Sequence, residues 1–124
     1  MAVIVLIEDN PQSARMAAKI LRHAGHEVII SEDGEDGLMT VFESAPDLVL
    51  TDLGLPDIDG QTVVSLIKQR EEFVNTPVLA FTAWPEETAH KMAEAYGCDG
   101  VITKPINTRT FADQVAAFLK TKES

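Results

Sequence analysis

The chain has 124 residues, 45% of them apolar and 24% charged, with twenty acidic side chains against ten basic ones and a formal net charge of −10. That length suits one domain with a hydrophobic core and is too short for two, the composition argues against disorder, and the acidic balance argues against direct nucleic-acid binding, which needs clustered Lys and Arg. No apolar run reaches a membrane span, the N-terminus lacks a signal-peptide pattern, and the single cysteine, Cys98, excludes an intramolecular disulfide and a cysteine metal cluster, so a soluble cytoplasmic protein is expected.

Residues 3–7 (VIVLI) are a strand-sized apolar run ending at Glu8-Asp9. Asn10-Pro11 is a helix start, with Asn as N-cap and Pro at the first helical position. Ala14, Ala17, Ala18 and Leu21 follow at core spacing, and Gly25 is a left-handed stop. Residues 28–30 read as a second strand. Gly34 and Gly37 flank the start of a second helix that buries Leu38, Val41 and Phe42 and ends at Ala45-Pro46. Residues 47–51 (DLVLT) lead into Asp52, and 52–60 form a loop rich in Gly, Pro and Asp. A third helix is expected over 61–72, with Val63, Val64, Leu66 and Ile67 inward. Thr76-Pro77 opens a strand at 78–81 (VLAF) that meets Thr82. Trp84-Pro85-Glu86-Glu87 starts a fourth helix, stopped by Gly97. Residues 101–103 (VIT) precede Lys104-Pro105, and Asn107 or Thr108 caps a last helix carrying Phe111, Val115, Phe118 and Leu119. The tail, 120–124, is polar and expected to fray.

Short apolar runs alternating with amphipathic patterns predict an α/β domain: five βα units in a doubly wound parallel sheet with helices on both faces. The core is expected over about 3–119, with no repeat and no linker, so 1–124 reads as a single domain. In such sheets ligands bind beyond the carboxyl ends of the strands, which brings Glu8, Asp9, Asp52, Thr82 and Lys104 to one edge. Carboxylates facing one another raise each other's pKa, and a hard divalent cation removes that cost. A carboxylate such as Asp52 can accept a phosphoryl group as a mixed anhydride, and an ammonium and a hydroxyl can stabilise its oxygens. Read singly, Glu8-Asp9 would only favour the dipole of the first helix, and Thr82 would be an ordinary strand residue. Their convergence on Asp52 decides for a site.

The set Glu8-Asp9, Asp52 followed by Leu53-Gly54-Leu55-Pro56-Asp57-Ile58-Asp59-Gly60, then Thr82-Ala83 and Lys104-Pro105, resembles the receiver domain of two-component response regulators over essentially the whole chain. The resemblance implies a flavodoxin-like fold of strand order 2-1-3-4-5 with five flanking helices. It implies Asp52 as phosphoacceptor, with Lys104, Thr82 and the Ala83 backbone N–H on the phosphate oxygens. It also implies magnesium, with manganese as a substitute, on Asp9, Asp52 and the Gly54 carbonyl, with Glu8 acting through water. Pro105 is implied to be cis, against the trans bond that sequence alone favours. The implied partners are a histidine kinase or phosphotransfer protein, which carries the phosphodonor histidine, and a downstream protein on the face of helix four, strand five and helix five. The implied role is a phosphorylation-switched signalling protein, a phosphoacceptor with slow self-hydrolysis rather than an enzyme. An initial Met and a short polar tail favour a complete protein over a module cut from a larger regulator or hybrid kinase. A phosphorylation-independent interaction module is a further alternative. A flavin protein or a hydrolase of related fold is disfavoured, because Glu8-Asp9-Asn10-Pro11 repels phosphate unless a metal is present.

Two positions modulate this picture. The family places an aromatic ring three residues before the lysine, where this chain has Val101, so the usual coupling of the threonine to that ring is in doubt. Trp84, two residues after Thr82, is expected either to shield the acyl phosphate from water or to serve as an exposed partner contact. His23, His26 and His90 share no metal-ligand spacing and read as surface residues. Met16, Met39 and Met92 read as filler, Cys98 as a small packed hydrophobe, and Asp57 and Asp59 as turn aspartates. Arg15, Lys19 and Arg22 form a helical stripe, either a solvated face or a docking surface.

Overall fold

The inner strands of this chain are apolar on both sides because both sides are covered. The computed structural model describes residues 2–123, with side chains through Leu119. In it β1 (Val3–Ile7), β2 (Glu27–Ser31), β3 (Leu48–Thr51), β4 (Val78–Thr82) and β5 (Gly100–Thr103) form one parallel sheet in the order β2-β1-β3-β4-β5. Helices α1 (Pro11–His23) and α5 (Phe111–Glu123) pack on one face, and α2 (Gly34–Ser44), α3 (Gly60–Lys68) and α4 (Glu86–Tyr96) on the other.

Alternation along each strand sorts residues between the two faces. Ile4 and Leu6 join Leu48, Leu50, Leu79, Phe81 and Phe111 beneath α1 and α5. Val5 and Ile7 join Val49, Val63, Ile67 and Val78 beneath α2 and α3. Each such fully buried side chain contributes about 1.5–3 kcal/mol relative to exposure. A smaller cluster of Leu53, Ala80 and Ala93, with Trp84, Tyr96, Cys98 and Val101 against it, lies under α4.

Local chemistry sets most boundaries. Asn10 caps α1 as expected, its Oδ1 accepting from Ser13 N–H at 3.0 Å. Asp33 and Asp59 cap α2 and α3, accepting from Asp36 N–H and Thr62 N–H, each at 2.8 Å. Gly25 (φ 97°) and Gly97 (φ 83°) occupy the left-handed stops read from the sequence, and Ala45 (φ 46°) does so without the freedom of glycine. The Lys104–Pro105 bond is cis.

Several boundaries differ from expectation. The third helix ends at Lys68 rather than 72, and the chain continues into a short 3-10 turn, Glu71–Phe73. Two long-range contacts end it there. Lys68 Nζ donates to Thr76 O at 2.7 Å and Asp99 Oδ2 at 2.8 Å, and Phe73 folds back to stack on Phe42 at 6.0 Å. Leu66, expected inward, is exposed, because the buried stripe runs through Gly60, Val63, Val64 and Ile67 and leaves it on the far side. The last helix begins at Phe111, not directly after Asn107 or Thr108. Asn107 instead closes the preceding turn, its Oδ1 accepting from Arg109 N–H and its carbonyl from Thr110 and Phe111 N–H. The helix is described through Glu123, and Ser124 lies outside the described residues. His26 is half-buried, its Nδ1 accepting from Ala2 N–H at 3.3 Å, and desolvation with the N-terminal charge lowers its pKa. His23 and His90 are exposed as expected.

Gly60 meets Leu53 closely: a Cβ there would lie 2.8 Å from the Leu53 Cα. Backbone cannot give way as a side chain can, so Gly60→Ala is expected to lower stability by about 1–3 kcal/mol in urea unfolding.

Candidate functional site

The hydrogen-bond ladder runs one step past the strands and fixes the residues that follow them. Glu8 N–H donates to Ser31 O at 2.9 Å, Asp52 N–H to Ile7 O at 2.9 Å, and Lys104 N–H to Thr82 O at 2.7 Å. Ile7 pairs with Thr51, and Thr82 with Thr103, so these residues lie together on the carboxyl edge of the sheet. Glu8, Asp9 and Asp52 each bring one carboxylate oxygen within 4.8 Å of the others. Asp9, Asn10, Ser13, Asp52, Ala83, Lys104 and Pro105 line an open cleft there.

Lys104 binds this cluster together. Its Nζ donates to Glu8 Oε1 and, at 3.0 Å, to Asp52 Oδ2, and it lies 5.1 Å from the centroid of the Phe81 ring. Glu8 is fully buried, and its second oxygen accepts from Asn10 N–H at 3.2 Å. Burial raises the Glu8 pKa, against the opposing pull of its hydrogen bond to Lys104. Burial also works against the Lys104 ammonium, but the hydrogen bonds to Glu8 and Asp52 outweigh it and hold the lysine pKa above its ordinary value. The donors are all oxygens, Asp9 is exposed to water, and the cluster retains excess negative charge. Such a set suits a hard divalent cation of the magnesium type, which keeps several waters.

Other expected residues take distinct places. Gly54 is exposed, and its N–H donates to Asp52 Oδ1 at 2.9 Å. Thr82 is buried, and its Oγ1 accepts from Trp84 N–H at 3.1 Å. Val101 pairs with Ala80 and, with the half-buried Trp84, packs into the cluster under α4. Cys98 is partly buried, and burial, then the charge of Asp99, pushes its thiol up to about 11. Arg15 and Lys19 are exposed, and Arg22 ties down the next strand by donating to Val28 O at 2.8 Å.

Asp57 has a role that its place in a turn does not announce. Its carboxylate accepts from Gly34 N–H at 2.8 Å and Glu35 N–H at 2.9 Å, so the loop after Asp52 is tied to the first turn of α2. The partners are more than twenty residues apart, and no local pattern marks them. The Asp-rich loop was the only available signal.

Comparison with known proteins agrees with this geometry. The family model described as response regulator receiver domain matches residues 4–116. The polar-differentiation response regulator DivK of Brucella ovis is 29% identical over 116 residues, 94% of each chain, and that of Brucella anthropi is 28% identical over the same span. A putative response regulator from Chloroflexus aurantiacus J-10-fl superposes with a TM-score of 0.90 at 27% identity, over 96% of this chain and 98% of that one. The chemotaxis response regulator CheY4 of Vibrio cholerae, at 24% identity, shares the fold with a TM-score of 0.88 over 95% and 98%.

Two outcomes are expected from the site geometry. Magnesium at ten times its Kd should raise stability by about 1.4 kcal/mol in urea unfolding. Replacing the exposed carboxylate of the cluster in Asp9→Asn should flatten that dependence, and an equal magnesium effect in the variant would place the ion elsewhere. The second concerns Asp57, whose pKa its hydrogen bonds to Gly34 and then Glu35 hold below the ordinary 3.8. A depressed folded pKa means that this tie is fully present above 3.8 and is lost as pH falls through the lower folded value. The Gly34 and Glu35 amide resonances should therefore titrate with a midpoint below 3.8, and that titration should vanish in Asp57→Asn.

Proposed function

The chain belongs to the response regulator receiver domain family, and from that footing we propose that it accepts a phosphoryl group on Asp52 from the histidine of a kinase or phosphotransfer protein. The observation that carries this reading is Lys104 held between Glu8 and Asp52, beside three converging carboxylates. In the transfer a carboxylate oxygen of Asp52 attacks phosphorus. The bond from phosphorus to the donor imidazole nitrogen breaks as the oxygen–phosphorus bond forms, and the nitrogen keeps the electron pair. The Lys104 ammonium stands where it neutralises an oxygen of the transferring group, and it is already oriented by Glu8. The Ala83 N–H and the Thr82 hydroxyl serve another. Magnesium, or manganese in its place, held by Asp9, Asp52 and the Gly54 carbonyl with Glu8 through water, would supply further charge neutralisation at the phosphoryl oxygens.

Attack by water on the same phosphorus returns the carboxylate and inorganic phosphate, so the protein resets slowly and acts as a switch rather than a turnover enzyme. The two states differ as a population shift in the packing of α4, β5 and α5, the face offered to a downstream protein.

Incubation with acetyl phosphate and magnesium, read by intact mass, tests this. A gain of about 80 Da, one phosphoryl group on a carboxylate, is expected in the wild type and absent without magnesium or in Asp52→Asn. A wild-type chain that stays unlabelled, or an Asp52→Asn variant that labels equally, would overturn the reading.

A further inference from the structure

We propose that Asp57 is a positioning residue for the metal-binding loop: bonded to the start of α2, its carboxylate sets the place of the Gly54 carbonyl. The role rests on the magnesium site proposed above, in which that carbonyl is the one backbone ligand. A glycine peptide is poorly restrained on its own account. Apart from its chain neighbours, a Cβ added at Gly54 would meet only Asp52 Oδ1 within 4 Å, at 3.7 Å. The amide side of Gly54 is held, because its N–H donates to Asp52 Oδ1 at 2.9 Å. Its carbonyl side depends on the residues that follow.

Those residues form a stiff link to another element. Leu55 is buried in the core beneath α2 and α3, and the proline after it keeps its backbone out of the helical region. Pro56 has a fixed φ. Asp57 ends the link, accepting from Gly34 N–H at 2.8 Å and Glu35 N–H at 2.9 Å. Helix α2 does not need these bonds to form. Asp33 already caps it through Asp36 N–H, and its ladder begins with Gly37 N–H donating to Asp33 O at 2.9 Å. The remaining amides of a first turn can bond to water instead. What the Asp57 pair adds is the place of the loop. The fit is close on the α2 side too: a Cβ at Gly34 would lie 3.1 Å from Ile58 Cβ and 3.3 Å from Asp57 Oδ1.

Groups that orient metal ligands from outside the coordination set are worth about 10–100-fold in affinity. Coupling of this kind is reciprocal, so a bound ion strengthens the tie by the factor that the tie strengthens binding. Calorimetric titration of the unphosphorylated chain with magnesium tests this without any phosphoryl transfer. Asp57→Ala should raise the magnesium Kd about tenfold. Asp33→Ala removes a carboxylate and a cap from the same helix terminus but no bond to the loop, so its Kd should match the wild type. Gly34→Ala keeps every charge while pressing on Ile58 and Asp57; its Kd should also rise, a second line if Asp57→Ala fails to fold. Saturating magnesium should slow hydrogen exchange at the Gly34 and Glu35 amides in the wild type and leave it unchanged in Asp57→Ala. A wild-type Kd in Asp57→Ala or Gly34→Ala, an equal loss in Asp33→Ala, or amides indifferent to magnesium overturns the positioning role. Labelling of Asp52 by acetyl phosphate is read separately, so the phosphoacceptor reading survives any of these. A wild-type chain that binds no magnesium overturns the positioning role together with the metal site it serves.

Discussion

Glu8 has no exposure to water, and an unpaired carboxylate in that position would cost several kcal/mol. The ammonium that pairs with it comes from 96 residues further along the chain. Local structure cannot bring these groups together; a parallel sheet can, because every strand returns to the same edge. Lys104 also binds Asp52, so one cation offsets part of the repulsion among three carboxylates. What remains is a cluster with about two negative charges, matched to a divalent cation rather than to a monovalent one. The lysine that permits Glu8 to be buried is the same group that holds the Asp52 carboxylate.

The supports around this cluster divide the work. The ladder bonds of Glu8, Asp52 and Lys104 set the backbone, so side-chain reach is all that is left to settle. Asp52 is steadied by Gly54 N–H, and the loop beyond it is fastened at two places: by Asp57 to the start of α2 and by Leu53 against Gly60. A site held by helix termini and strand ends keeps its geometry without a rigid loop.

The strands and the convergence of Glu8, Asp9, Asp52 and Lys104 were legible because their signals are local. An apolar run, a polar residue at its end and an Asn-Pro or Gly stop need only a few neighbours to be read. Tertiary contacts account for the rest. The third helix stops early because Lys68 finds Thr76 and Asp99, and Phe73 finds Phe42. His26 is half-buried because Ala2, just before β1, passes beside it and donates to its Nδ1. Asp57 looked like a turn residue since its partners lie on another element. Strand order came from the family resemblance, as periodicity does not encode which strands adjoin.

Helices α1, α2 and α3 each have an Asn or Asp side chain on an N-terminal amide, and α4 has none. A missing cap removes roughly 0.5–2 kcal/mol of helix stability. The buried face of α4 is also thin, consisting of Ala89 and Ala93, whereas α3 buries Val63, Val64 and Ile67. Glu86 and Glu87 favour its first turn through the helix dipole, a weak and salt-screened compensation at exposed positions. Elements that move are drawn from the less stable end of a fold. The seat of α4 is supplied by Trp84 of the β4–α4 connection and by Val101 of β5, side chains that a change of packing in either element would move.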